Sequence, residues 1–266
     1  MLNYLPVFLA VGAGAGFLAG LLGVGGGLVI VPALVFAFEH AAVAPQHVLH
    51  LALGTSLASI LFTSLSSIRS HHARGAVDWT IVRAIAPGIL LGTFAGALFA
   101  GQISTLGLKW FFVVFASLVG VQMYSGAKPA AARDLPGAAG MFAGGGLIGA
   151  VSSLVGIGGG SLSVPFMTWC NVAIHRAVGT SAAIGFPIAL AGALGYIASG
   201  LSVNGLPSGA LGFVYLPALA GIVVTSVLTA GSGARLAHRL PVARLKKLFA
   251  LLLLLMALKM LWSLLH

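Results

Sequence analysis

Apolar positions run through this chain in blocks of about twenty residues or more, and polar positions are confined to short stretches between them. A helix needs about 20 apolar residues to cross a hydrocarbon core of about 30 Å. Six blocks have that length, at about 47–68, 80–101, 106–125, 176–199, 211–230 and 245–265. Two further stretches, Leu5 to Phe38 and Pro136 to Cys170, are each about 35 residues long, or about 50 Å as a single helix. They are too long for one pass. Each carries a glycine string in its interior: Gly23-Val24-Gly25-Gly26-Gly27 followed at Pro32, and Gly156-Ile157-Gly158-Gly159-Gly160 followed at Pro165. Glycine accepts the backbone conformations of a turn, so each stretch is expected to hold two half-helices joined by an irregular break.

The two strings are copies of one another. Residue 156 minus 23 and residue 165 minus 32 both give 133, half of the 266-residue chain. A second string repeats as well. His50-Leu51-Ala52-Leu53-Gly54-Thr55-Ser56 matches His175-Arg176-Ala177-Val178-Gly179-Thr180-Ser181 at His, Ala, Gly, Thr and Ser, with an offset of 125. The first half has the longer preceding loop. Pro87 and Pro217 fall at similar places in the spans that follow. The chain reads as one integral domain over 1–266, with internal repeats at about 1–127 and 136–266 and a linker at about 126–136.

Basic residues orient the spans, because cytoplasmic loops carry the excess of Lys and Arg. If each broken stretch turns back, each half holds a hairpin plus three spans, and the halves insert in opposite senses. Arg69, Arg74 and Arg83, then Lys128 and Arg133, then Arg235, Arg239, Arg244, Lys246 and Lys247 all share one side only in that arrangement. The expected fold class is therefore all-α, a polytopic transmembrane helical bundle of two inverted repeats, each a broken-helix hairpin plus three spanning helices. Both termini lie outside the cytoplasm. Glu39, His40 and His47 fall on the opposite face, together with the connections around Ser104 and Asn204. Trp79, Trp110, Trp169 and Trp262 lie near span ends, where aromatic belts form.

Composition agrees with a lipid solvent. The chain is 59% hydrophobic and 6% charged with a mean hydropathy of +1.12, against about 25% charged in soluble domains. The net charge of +10 sits in clusters between spans rather than on one polar face, which speaks for membrane orientation and against nucleic acid. The single cysteine, Cys170, has no partner for an intramolecular disulfide, and no Cys/His spacing resembles a zinc site. No metal or cofactor is expected. The N-terminus lacks the basic region of a signal peptide, so it is kept in the mature fold. There is no nucleophile elbow, zincin motif or phosphate loop, and the chain is not expected to be an enzyme.

The three acidic residues Glu39, Asp78 and Asp134 all fall in predicted loops. Carriers of cations and protons use carboxylates at membrane depth, so the expected cargo is an anion or a neutral solute. A glycine break at that depth offers backbone N–H groups, and the half-helix after it points its positive dipole end at the break. This makes Gly25, Gly26, Gly27, Gly158, Gly159 and Gly160 candidate anion-binding positions, with Ser161 as a hydroxyl donor. The alternative is glycine that only permits close packing. Thr55, Ser56, Thr180 and Ser181 offer hydroxyls in two equivalent spans, for a substrate or for helix packing. His50 and His175 are candidates for proton coupling, or for satisfied interfacial histidines. Arg176 is expected to face headgroups, Lys259 to snorkel from the last helix, and His71-His72-Ala73-Arg74 to be a solvated loop.

The paired G-[VI]-G-G-G-x4-P and H-x-A-x-G-T-S strings resemble the TauE/SafE family of sulfite and organosulfonate exporters, over nearly the whole chain. The resemblance implies a multi-pass permease of the bacterial inner membrane for small sulfur-containing or carboxylate anions such as sulfite or sulfoacetate, often moved outward. Its motifs map onto Gly25, Gly26, Gly27 and Pro32, onto Gly158, Gly159, Gly160 and Pro165, and onto Thr55-Ser56 and Thr180-Ser181. The residues and the resemblance agree on an anion held by neutral donors between inverted halves and moved by alternating access. The partners expected are the anion and membrane lipid. A passive anion channel and a non-transporting assembly subunit are the competing classes.

Overall fold

The computed structural model describes residues 5–22, 27–41, 43–125, 133–237 and 242–265. Among the described residues ten α-helices follow one another: α1 (Leu5–Leu22), α2 (Gly27–His40), α3 (Val48–His72), α4 (Trp79–Ala100), α5 (Thr105–Ser125), α6 (Ala138–Val155), α7 (Gly160–Trp169), α8 (Ile174–Gly200), α9 (Leu216–Ala237) and α10 (Val242–Leu265). A two-residue β-hairpin, β1 (Ala210–Leu211) and β2 (Val214–Tyr215), precedes α9. Among the described residues, five helices are long and apolar enough to cross a membrane. The protein is a polytopic helical membrane protein, as its apolar blocks require.

The helix ends follow local chemistry. Asp78 caps α4, its carboxylate accepting from the N–H groups of Thr80 at 3.0 Å and Ile81 at 3.3 Å. Gly156 ends α6 in the left-handed region at φ 71°, and the N–H groups of Gly156 and Ile157 both return to the Ser152 carbonyl. The chain then restarts as α7.

The arms of the broken stretches differ in length: α1 and α6 have 18 residues each, α2 has 14 and α7 has 10. At 1.5 Å per residue, α6 is about 27 Å long and α7 about 15 Å. The span placed at 211–230 starts late, because Gly209 and Gly212 take positive φ and fold residues 210–215 into the β-hairpin. Pro87 lies inside α4 whereas Pro217 stands in the first turn of α9, so these prolines are not equivalent.

Both broken stretches turn back. Phe8 near the start of α1 meets Phe38 near the end of α2 with ring centroids 6.0 Å apart. A Cβ on Gly144, early in α6, would lie 3.3 Å from the ring of Phe166 late in α7. Arg133, just before α6, lies 4.7 Å over the ring of Trp169 at the end of α7.

Glycine spacing dictates the helix pairing. Gly88, Gly92 and Gly96 share one face of α4, and a side chain there would strike Phe142, Gly146 and Ala150 of α6 in that order. Gly12 and Gly16 of α1 meet Ile222 and Ser226 of α9 in the same way. Both pairs therefore run parallel, with backbones as close as small-residue faces permit. The long helices α3 and α8 cross antiparallel: Gly54 lies beside Tyr196, and Gly192 beside Leu57. Helix α4 runs parallel to α8, with Gly192 by Thr93 and Gly195 by Ala97. Helices α5 and α10 are antiparallel, as Gly120 against Leu254 and Lys247 over the ring of Tyr124 require.

Candidate functional site

The start of α2 meets the second glycine turn inside the bundle. A Cβ on Gly27, the first residue of α2, would overlap the carbonyl oxygen of Gly156 and lie 2.9 Å from Ile157 Cα and from the Ile60 side chain. Gly156 in turn faces Leu53 and Val31, while Gly159 faces Ile184 and Ile188 at the midpoint of α8. The N–H groups of Gly160 and Ser161 precede the first hydrogen bonds of α7, which run from Leu162 and Ser163 to the Gly159 carbonyl at 3.3 and 2.8 Å. Gly158, Gly159 and Gly160 lie in or beside the second turn, with Gly158 and Gly159 buried. Gly25 and Gly26 lie outside the described residues.

The hydroxyls divide into engaged and unengaged groups. Ser56 donates to the Gly156 carbonyl at 2.8 Å, tying α3 to the second turn. Ser163 donates to the Gly159 carbonyl, and Ser181 to Val178 within its own helix. Thr55 Oγ1 accepts from the Tyr215 N–H at 2.9 Å, and Thr180 Oγ1 accepts from the Asp78 N–H at 2.9 Å. Ser161, Ser152 and Thr93 differ: their buried hydroxyl oxygens have no hydrogen-bond partner among the described residues. Ser161 stands in the first turn of α7. Ser152 lies in the last turn of α6, and Thr93 Oγ1 lies 2.5 Å from where a Gly149 Cβ would stand. Ser152 and Thr93 escaped the sequence reading because neither belongs to a repeated string. Ser152 stands only four residues before the second glycine string, the one signal that pointed to it.

The two equivalent histidines sit in unlike places. His50 is 2% exposed, with Nε2 3.1 Å from the Ala100 carbonyl and 3.0 Å from that of Ile103, and its ring stacks on Phe213 at 4.8 Å. His175 is exposed in the first turn of α8. Arg176 does more than face headgroups, since it pairs with Asp78 at 2.7 Å. Lys259 lies over the ring of Phe36 at 3.3 Å. Lys109 and Glu39 form an ion pair of 2.7 Å between α5 and α2. Among the described residues, no group of three or more His, Cys, Asp or Glu is placed to hold a metal ion.

Comparison with known proteins places this architecture. The family model described as sulfite exporter TauE/SafE matches residues 8–260. A "Probable membrane transporter protein" of Haemophilus influenzae is 40% identical over 261 residues, covering 98% of this chain and 99% of that protein. The "Probable membrane transporter protein YdhB" of Bacillus subtilis is 27% identical over 261 residues, with 92% and 94% covered. A "Probable membrane transporter protein" of Methanocaldococcus jannaschii is 29% identical over 197 residues, with 73% and 72% covered. No solved structure matches the chain. Spans, broken helices and the match over residues 8–260 lead to one conclusion: the chain belongs to the sulfite exporter TauE/SafE family and is a multi-pass membrane transporter.

Proposed function

We propose that the protein carries a small oxyanion, sulfite or an organosulfonate, across the bacterial inner membrane by alternating access, binding it where the start of α2 meets the second glycine turn. The observation that carries this reading is the contact of Gly27 with Gly156 and Ile157, beside the start of α7. Backbone N–H groups at a helix start attract an anion. The unengaged hydroxyls of Ser161, Ser152 and Thr93 supply neutral donors of the kind an oxyanion needs. Within this site Gly158, Gly159, Gly160 and Ser161 contact the anion from one repeat and Gly27 from the other. Ser56 holds the Gly156 turn in place.

The two halves act as inverted repeats. The helix pairs support this, because α1 with α9 and α6 with α4 are the same pair under exchange of halves, and α3 crosses its counterpart α8 antiparallel. Arg69, Arg74, Arg83, Arg133, Arg176 and Lys247 all belong to the end of the bundle where α3, α5 and α7 finish. That end faces the cytoplasm, with both termini on the other side. On the outer end Lys109 pairs with Glu39 and Lys259 with Phe36.

Exchange in proteoliposomes tests the mechanism. A carrier preloaded with unlabelled sulfite takes up labelled sulfite faster than an empty vesicle does. A passive channel shows no such stimulation, and a non-transporting subunit shows no uptake.

A further inference from the structure

Thr55 and Thr180 stand at equivalent places in the repeated string, and they do the same work at opposite ends of the bundle. Tyr215, whose N–H reaches Thr55 Oγ1 at 2.9 Å, is the residue immediately before α9. Asp78, whose N–H reaches Thr180 Oγ1 at 2.9 Å, is the residue immediately before α4. The preceding glycines match as well. A Cβ on Gly54 would overlap the carbonyl oxygen of Phe213, and one on Gly179 would overlap that of Ala76. In each case the carbonyl lies two residues before the N–H donor. One Gly-Thr pair therefore seats an incoming loop twice, with a gap for its carbonyl and an acceptor for its N–H.

The segments so held lie across the two ends of the α3–α8 crossing, with the second glycine turn packed against Leu53 of α3 and Ile184 of α8. On the outer end Phe213 is fully buried against His50 and Tyr196, and Tyr215 packs on Phe8 and Phe38 of the first hairpin. On the inner end Asp78 is held further by Arg176. The outer seat is aromatic and the inner one ionic. Ser56, the neighbour of Thr55, bonds the Gly156 turn at 2.8 Å, so the outer seat and the junction are joined through consecutive residues of α3.

We infer that Gly54-Thr55 and Gly179-Thr180 are paired latches, outer and inner, and that the path to the anion opens from each side by release of one of them. The inference rests on the transport reading and assigns these threonines as positioning residues rather than anion ligands. Both latches are engaged in this structure, which is the occluded form such a cycle requires.

The test uses the full chain with its one cysteine replaced, Cys170→Ala, and a reporter placed at Ser161→Cys. Right-side-out and inside-out membrane vesicles are exposed to a membrane-impermeant thiol reagent without substrate. The latched protein reacts slowly from both sides. Thr55→Val raises the labelling rate about tenfold from the outside alone, and Thr180→Val raises it about tenfold from the inside alone, because the first leaves the buried Tyr215 N–H unpaired and the second the half-buried Asp78 N–H. Thr55→Ser and Thr180→Ser keep the slow rates, since the acceptor oxygen remains. Equal changes from both sides in either valine variant, or no change in both, overturn the latches. Labelling needs no cargo, so a protein that shows these sided rates and carries no anion contradicts the transport reading alone.

Discussion

Gly27 and Gly156 meet backbone to backbone, with the carbonyl oxygen of one occupying the space a side chain on the other would need. The Gly156 oxygen and the Ile157 Cα that face Gly27 both belong to the backbone, so neither yields cheaply. Gly27→Ala is expected to destabilise the protein by about 1–3 kcal/mol and to abolish transport by parting the start of α2 from the Gly156 turn. Gly156→Ala adds the strain of a side chain at φ 71°, about 1–2 kcal/mol. Gly14→Ala, exposed on α1 with open space around it, leaves stability and flux intact. Thermal unfolding in detergent and uptake by proteoliposomes check all three.

Ser161 and Ser163 separate binding from structure. The Ser161 hydroxyl has no partner among the described residues, so Ser161→Ala leaves the unfolding temperature unchanged or slightly higher. It raises the KM for the anion roughly tenfold, the loss of one hydrogen bond to a charged group. Ser163→Ala removes a bond to the Gly159 carbonyl and lowers stability by about 1 kcal/mol. A melting series beside a concentration series of uptake reads both effects.

The histidines make a similar contrast. His50→Ala strips a buried ring from two carbonyl contacts and from Phe213, and should cost about 2–3 kcal/mol. His175→Ala removes an exposed ring and stays within about 0.5 kcal/mol. Chemical denaturation of the two variants checks the difference. If His50 moves a proton, His50→Gln also removes the response of anion uptake to an imposed pH gradient, while His175→Gln keeps it.

The spans were legible because lipid imposes one rule, a run of apolar residues long enough to cross, and α3, α4, α5 and α8 fall within a few residues of the blocks that define them. The break at Gly156 was legible for a backbone reason, since a left-handed turn after α6 calls for glycine. The unequal arms were not, because a glycine string marks where a helix stops and says nothing of how far each arm runs. The β-hairpin before α9 was also hidden: Phe213, Val214 and Tyr215 are as apolar as a span, and what sets them apart is the positive φ of Gly209 and Gly212 and their burial against His50 and Phe8. The repeated His drew attention for its pKa class, whereas its setting depends on neighbours from α4 and α5 that no local string encodes. Likewise the paired threonines were visible as a pair, but their partners, Tyr215 and Asp78, lie more than a hundred residues away.

Arg176 and Asp78 link α8 to the start of α4 at the inner end, but the arginine side chain is 60% exposed. Arg176→Gln is therefore expected to change stability by less than about 1 kcal/mol. Salt screens an exposed pair of this kind, so raising ionic strength should move the native protein toward the variant in the unfolding temperature. A melting curve at low and high salt for both proteins measures it.

Uptake of sulfite, sulfoacetate, taurine and sulfate by proteoliposomes, for the native protein beside Gly27→Ala, tests the central claim most directly. The native protein should show saturable uptake of at least one of these, well above empty liposomes, and Gly27→Ala should show none while remaining in the membrane. Native uptake no greater than that of empty liposomes, or undiminished flux through Gly27→Ala, would contradict an anion site where α2 meets the Gly156 turn.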